Sequence, residues 1–318
     1  MSREFVTFTD NFVTEPAKFA DSISSTMATN RGSCRGSTLF WACRGMLEVA
    51  KKITAGERFS RYFTVGPALS DVLRNEVFRI RHEVYAREFG FEPIRANGQE
   101  TDRYDAHSLQ CIVRTAGPAS KSVGCARLIL TDPQNPDAPL PFELACRDSL
   151  NRAYLDPAKL PRGRIAEVSR LAIMADFRRR KGETASALML QEQDFGGAPV
   201  ERVPNIPLSL YMASVIMAQR HGIDYLFVLT EPRLSKHFAK LGVQITSIGA
   251  PIDHRGIRVP SVMRVADVYA GLRSLIKPVW NEILAQVEAA YSTAEVYAAA
   301  EASVRSGHRD SDSDFVYL

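Results

Sequence analysis

The sequence predicts a mixed α/β (α+β) fold, a mostly antiparallel sheet flanked by helices. Three observations carry that reading. Apolar residues recur at helical spacing over 73–89 and again over 208–219. The runs 109–115 and 122–130 are apolar, strand-like and joined by a short Gly/Pro/Ser turn, the pattern of an antiparallel hairpin. The later elements follow in the order strand, helix, strand, helix, two strands, which excludes an ordinary doubly wound parallel sheet.

Taken from the start, residues 1–60 read as a helical and loop extension. Helical stretches at 16–28 and 39–53 flank a Gly/Ser/Arg-rich loop, and Gly56 is the expected stop. A core of 61–268 begins with a strand at 63–65. Ser70 is the expected N-cap of a helix carrying Leu73, Val77, Ile80 and Val84 on one face, and Gly90 ends it. The hairpin follows, then a Pro/Asp/Asn loop at 131–141 and a stretch to 163 with no clear element. A buried strand over 166–174 comes next, then a helix at 184–197 and an irregular insertion at 199–205. Pro207 opens a helix that Gly222 closes. A strand at 225–229, a helix from Pro232 to the stop at Gly242, and a strand pair at 243–248 and 257–265 complete the core. The C-terminal helix is placed within 269–305, with Pro278 as boundary or kink, and a loose tail at 306–318.

The chain has 318 residues, 45% of them hydrophobic and 24% charged, an ordinary balance for a globular protein with a sizeable core. Five cysteines without a Cys-x-x-Cys pair argue against a disulfide scaffold or zinc ribbon. Cys111, Cys125 and Cys146 stand in apolar surroundings and read as buried thiols, and a reducing cytoplasm is expected. The first residues lack the cation-then-apolar pattern of a signal peptide. The basicity is local, with no long cationic track interleaved with aromatics, so nucleic acid is not the expected partner.

The segment 166–173 carries two charges, Glu167 and Arg170, on an otherwise apolar strand. It runs at once into Arg178, Arg179, Arg180, Lys181 and Gly182. Charges beside a buried strand are expensive unless they have partners or a task. Strict alternation puts Glu167 and Arg170 on opposite faces, and only a bulge would unite them. Arg127 also lies inside a strand and needs a carboxylate partner; Asp102 and Asp105, three apart in a polar turn, are the candidates. Arg81 borders the apolar helical face and by itself reads as a snorkelling cation. Arg178 to Lys181 by itself reads as a solvated turn.

Certain fragments, in order, carry a resemblance: Arg81-x-x-x-Tyr85, Arg87-x-x-Gly90-Phe91-Glu92, Asp102-x-x-Asp105, Gly124-x-x-Arg127 and Glu167-x-Ser169-Arg170. The chain resembles the autoinducer (acyl-homoserine-lactone) synthases and the long-chain N-acyl amino acid synthases, branches of the GNAT acyltransferase fold. The likeness is good over 63–180 and looser to about 268. The phrasing Glu167-Val168-Ser169-Arg170-Leu171-Ala172-Ile173 followed by Phe177-Arg178-Arg179-Arg180 is most similar to acyltransferases associated with PEP-CTERM/exosortase systems. Two departures qualify the match. Tyr85 and Phe91 stand where autoinducer synthases carry Phe and Trp, which argues against S-adenosylmethionine as amine donor. The GNAT pyrophosphate loop is half present, with Arg179, Gly182 and then Thr184, which favours a phosphopantetheine on an acyl carrier protein over CoA.

The resemblance implies an N-acyltransferase that moves a long fatty acyl group from an acyl carrier protein, or acyl-CoA, to the α-amine of an amino acid. No permanent cofactor or metal is expected. Glu167 is the expected general base. Arg81, Tyr85, Phe91 and Ser169 are expected to contact substrate, and Asp102, Asp105, Arg127 and Arg170 to form an ion network. Arg178, Arg179, Arg180, Lys181 and Gly182 are expected to receive the acidic carrier. Transient membrane contact is compatible with a lipophilic product. The competing readings are an autoinducer synthase and a catalytically silent GNAT module that senses acyl groups.

Overall fold

The computed structural model describes residues 54–178 and 206–309, within a unit that begins at Ile53. Helix α1 (Ala55–Tyr62) starts where Thr54 and Glu57 close a reciprocal capping box. Gly56 therefore lies in its first turn and is not the expected stop. It is small for a different reason: a Cβ there would come within 2.4 Å of the Pro278 carbonyl oxygen. Phe59 is fully enclosed in the main core, so this part of the expected extension belongs to the core.

Strand β1 (Phe63–Pro67) is followed by α2 (Asp71–Arg81), which Ser70 caps as expected. The helix continues as a π-helical turn over His82–Glu88, ending beside Gly90 at φ +64°. A 3₁₀ turn (Arg103–His107) leads into β2 (Ser108–Thr115) and β3 (Ser122–Leu130). The predicted hairpin is present, with Cys111 opposite Ala126. After the loop, a short helix α3 (Pro141–Ala145) occupies a stretch without a clear sequence signal. Then come β4 (Ile165–Ile173) and a single helical turn α4 (Ala175–Arg178). The expected helix at 184–197 and the insertion at 199–205 lie outside the described residues.

Helix α5 (Ile206–Arg220) is apolar all round, as suits a helix enclosed by other elements. Strand β5 (Tyr225–Thr230) precedes α6 (Pro232–Lys240), and Gly242 stops the latter at φ +89°. The strand expected at 243–248 shrinks to β6 (Thr246–Ser247). It pairs with β8 (Ile257–Arg264), as does β7 (Ile252–Asp253). Helix α7 (Val265–Gly271) precedes the long α8 (Lys277–Arg309), so Pro278 is at the start of that helix, where its missing N–H costs nothing. Ser306 to Arg309, expected in the tail, are helical.

The strands form one sheet in the order β1-β2-β3-β4-β5-β8-β6, and β4–β5 is its parallel pair. Val65, Val113, Leu128 and Val168 pack on one face with α5 and α8. Ile112, Cys125 and Ala172 pack on the other with α2, and Ile129, Ile165 and Phe227 with α3. Two irregularities of β4 create the site. Pairing with β5 covers Ile165–Val168 against Tyr225–Val228, and β4 runs on to Ile173, so the two strands part and leave a wedge. In the parted half, Cys125 faces Ala172 while Arg127 faces Ser169, so β4 carries one extra residue and bulges at Arg170–Leu171.

Candidate active site

The bulge decides where the charges go. Ala166 and Val168 point to the α5 face, and continued alternation would send Arg170 there too. With Arg170 at φ +49°, the alternation slips by one: Leu171 and Ile173 take the apolar face and Ala172 the opposite one. Arg170 is thereby turned onto the face that holds Glu167 and Ser169. Gly124 lets the two backbones meet, since a Cβ there would stand 2.6 Å from the Ala172 carbonyl oxygen. Tyr85 braces the bulge from the π-helical turn, its hydroxyl donating to the Leu171 carbonyl at 2.7 Å. That turn forms where Phe89 N–H reaches back to Val84 O, and it ends with Phe91 N–H on Tyr85 O.

Around Arg170 stands an ion network. Arg81, 0% exposed, donates Nε to Glu100 at 2.5 Å and Nη1 to Asp105 at 2.6 Å. Arg127 donates Nη1 to Asp102 at 2.6 Å and to Asp105 at 2.9 Å, and its Nε to Ser169 Oγ at 3.0 Å. Arg170 reaches Glu92 at 3.0 Å, Glu100 at 3.2 Å and Asp102 at 3.3 Å. Asp102 and Asp105 also cap the 3₁₀ turn reciprocally, so the cap expected of them and the ion network coexist. Burial raises the cost of charging these carboxylates, and the arginines outweigh it. Asp105 is brought down to about 2, and Glu100 and Asp102 also lie below the carboxylate range.

Glu167 has the opposite environment. It is 5% exposed, and Oε2 accepts the Phe142 N–H at the start of α3, at 2.8 Å. Burial pushes its carboxyl up to about 7. The Phe142 N–H, Arg127 and Arg170 act against that push, and neighbouring Glu143 adds to it. Glu143 is itself held by Arg162 at 2.9 Å and receives the Leu140 N–H. A groove of about 600 Å³, lined by Arg103, Tyr104, His107, Leu130, Leu140 and Leu144 among others, adjoins this helix start.

Several expected roles move. Arg81 and Ser169, expected to touch substrate, are committed to the network, Arg81 wholly so. Tyr85 is buried and its hydroxyl is spent on the bulge. Phe91 remains accessible at 38%, stacked on Phe89 with centroids 5.5 Å apart. Arg178, expected at the carrier dock, is instead paired with Glu88 and lies over the Phe89 ring at 4.8 Å. Arg179, Arg180, Lys181 and Gly182 lie outside the described residues. Sequence reasoning missed Glu100, 1% exposed, because it stands in a polar loop with no periodic signal. Glu92 was visible only as part of a motif, and Arg255 carried no signal at all. Among the described residues no group of His, Cys, Asp or Glu is placed to hold a metal ion, and no helix is long and apolar enough to cross a membrane.

The site thus places a buried carboxyl, pushed up to about 7 by burial, on a strand that parts from its neighbour. Residues 80–187 match the family model described as acetyltransferase (GNAT) domain. Within the described residues that match takes in the π-helical turn, the ion network and β4, and it supports an acyltransferase. Among solved structures it is similar to the AHL synthase LasI, with 17% identity over 66% of this chain and 95% of that one, TM-score 0.45. It is also similar to a CoA-dependent acyl-homoserine lactone synthase, BjaI, with SAM and isopentyl-CoA: 18% identity, 70% and 89% coverage, TM-score 0.46. A third is FeeM, an N-acyl amino acid synthase from uncultured soil microbes: 16% identity, 66% and 94% coverage, TM-score 0.42. No curated protein matches the chain.

Proposed function

We propose that the protein is an N-acyltransferase that forms an amide between a long-chain fatty acyl thioester and the α-amine of an amino acid. The observation that carries this reading is Glu167: a buried carboxyl pushed up to about 7, on the strand that parts from its neighbour. A general base works best when its pKa lies near the working pH, and such help is worth roughly 10²–10⁴-fold.

In the proposed reaction the ionised Glu167 takes a proton from the acceptor amine, directly or through one water. The nitrogen attacks the thioester carbon, and the carbonyl π electrons move to oxygen. The bulge takes Arg170 and Leu171 out of the ladder with β3, and backbone N–H groups here are assigned to that oxyanion. Collapse breaks the carbon–sulfur bond, and the leaving thiolate receives the proton from Glu167. The thioester arm lies in the wedge between β4 and β5. The ion network serves alignment: it fixes the bulge against the 3₁₀ turn and the Glu92 loop, and alignment is worth up to roughly 7–11 kcal/mol of barrier.

The acyl donor is assigned to a carrier-protein phosphopantetheine on the strength of the basic run beyond Arg178 and the incomplete pyrophosphate loop. The resemblance in 167–180 supports a setting in PEP-CTERM/exosortase systems, acting in the cytoplasm with transient membrane contact through its product. Mass spectrometry of lipid extracts from cells overproducing the protein tests the reading. N-acyl amino acids are expected with the wild type and absent with Glu167→Gln. An acyl lactone would move the assignment to an autoinducer synthase, and neither product would leave a silent acyl-binding module.

A further inference from the structure

Two non-glycine residues have positive φ among the described residues: Arg170 at +49° and Arg255 at +57°. Such backbone is strained for a residue with a side chain, and it clusters at ligand clamps. Both residues aim at one atom. Arg170 Nη2 donates to Glu92 Oε1 at 3.0 Å, and Arg255 Nη2 donates to the same oxygen at 2.7 Å. Each guanidinium also lies over a ring, Arg170 over Tyr85 at 5.5 Å and Arg255 over Phe91 at 5.4 Å.

The two arginines differ in what they have left to give. Arg170 is shared among three carboxylates and is 19% exposed. Arg255 stands in the β7–β8 turn, its side chain 32% exposed, and among the described residues only Nη2 is engaged, on Glu92 and on the Phe91 carbonyl oxygen at 3.2 Å. Two hydrogen bonds tie the turn: Gly256 N–H reaches Asp253 Oδ1 at 3.2 Å, and His254 N–H reaches Gly256 O at 2.9 Å. Without Arg255, the three guanidiniums of Arg81, Arg127 and Arg170 face the four carboxylates of Glu92, Glu100, Asp102 and Asp105. Arg255 completes the balance at the rim, beside the accessible ring of Phe91.

We infer that the Arg255–Glu92 ion pair is the seat of the acceptor and selects a zwitterion, so that the substrate class is the free α-amino acid rather than a plain amine or an ester. This rests on the amide-forming reading above. When the pair opens, it presents one carboxylate and one guanidinium with unused N–H donors. An α-amino acid presents the complementary ammonium and carboxylate, and inserting it leaves every charge partnered. The ammonium then gives one proton to solvent, and the neutral amine that attacks gives its second to Glu167, which passes it to the thiolate. An ester or an amine without the carboxylate would strand the guanidinium, a loss typical of an unpaired charged group. Arg170 links the seat to the strand of the base: it touches Glu92, and the bulge turns it onto the face of β4 that holds Glu167. Phe91, beneath Arg255, borders the acceptor's side chain.

The test offers the enzyme an equimolar mixture of the free amino acids and their methyl esters. Palmitoyl carrier protein and palmitoyl-CoA serve as donors, and products are read by mass spectrometry. The wild type is expected to acylate free amino acids in preference to esters. Arg255→Asn keeps a residue that tolerates the left-handed backbone and removes the cation. It is expected to lower the free-to-ester product ratio by roughly 10- to 100-fold, as befits lost charge-assisted hydrogen bonds. Arg255→Lys restores part of that ratio. A ratio unchanged in Arg255→Asn, or a wild type that favours esters, overturns the zwitterion seat while amide formation stands. No acylated amine from either mixture overturns the amide-forming reading, and the seat falls with it.

Discussion

Two sets of carboxylates share one face of the sheet and are prepared in opposite ways. Glu100, Asp102 and Asp105 are each clasped by guanidinium groups at 2.5–3.3 Å and are held below the ordinary carboxylate range. Glu167 has one backbone N–H and two arginines at longer range, and burial pushes it up to about 7. The same functional group is thus held below its ordinary range in one place and pushed up toward neutrality in the other. Burial pushes every one of these carboxyls up, and in the first set the direct guanidinium partners together outweigh it. The first set is suited to holding shape and the second to moving protons.

The sharpest way to break this contrast is to make Glu167 unable to accept a proton. Glu167→Gln keeps the acceptor for the Phe142 N–H and is expected to cost roughly 10²–10⁴-fold in kcat. In the wild type the rate should rise with pH through about 7, as the carboxylate forms, and that rise should vanish in the variant. Folding should show the mirror image. A carboxyl whose folded pKa is raised binds its proton more tightly when folded, so its stabilising contribution is full below the unfolded value and is lost as pH rises toward 7. Glu167→Gln is therefore expected to flatten the fall in stability between about pH 4.5 and 8, on the order of 3 kcal/mol. Asp105 has the opposite sign: its contribution is present above the unfolded value and is lost as pH falls toward about 2. Urea titrations at a series of pH values read both. A pH-independent rate in the wild type would remove Glu167 from the chemistry.

The network side of the comparison is tested by Arg81→Met. The guanidinium is fully buried between Glu100 and Asp105, and its loss leaves two carboxylates short of a partner in the interior. The expected cost is roughly 3–5 kcal/mol in unfolding free energy at pH 7, because breaking a buried pair from one side strands the other charge. The deficit should shrink as pH is lowered toward 4, where the freed carboxylates protonate. A loss below about 1 kcal/mol, the value of an exposed pair, would show that water reaches the network.

How legible this was in the sequence depends on the kind of signal each part emits. The hairpin, the Ser70 cap and the stop at Gly242 follow from local periodicity and turn chemistry, and they stand where expected. Asp102, Asp105, Arg127 and Arg170 were readable as charges in need of partners, since a cation inside an apolar strand announces its cost. The pairing scheme was not. Glu100 and Glu92 come from irregular loops, where nothing periodic marks a side chain as buried. Arg255 is a turn residue indistinguishable from a solvated one until its contact with Glu92 is seen. The bulge was an open alternative because alternation cannot say where an extra residue will go. Short edge elements such as β6 were overextended, since their length is set by pairing with β8 and not by their own composition. Gly56 misled because a glycine can signal close approach as readily as a helix end.

The smallest expected effect lies between the two sets, at Tyr85. Its hydroxyl donates to Leu171 O and is the link from the π-helical turn to the bulge that turns Arg170 toward the network. Tyr85→Phe keeps the ring beneath the Arg170 guanidinium and removes that single hydrogen bond. A neutral hydrogen bond of this kind is worth about 1 kcal/mol, plus the cost of a buried carbonyl left without its donor. Stability should fall by about 1–2 kcal/mol. If the bulge positions backbone N–H groups for the oxyanion, kcat should fall severalfold while KM for the amine changes little, because only the transition state feels their alignment. A fall in stability with an unchanged kcat would make Tyr85 a brace of the fold alone and would place the oxyanion donors elsewhere along the wedge.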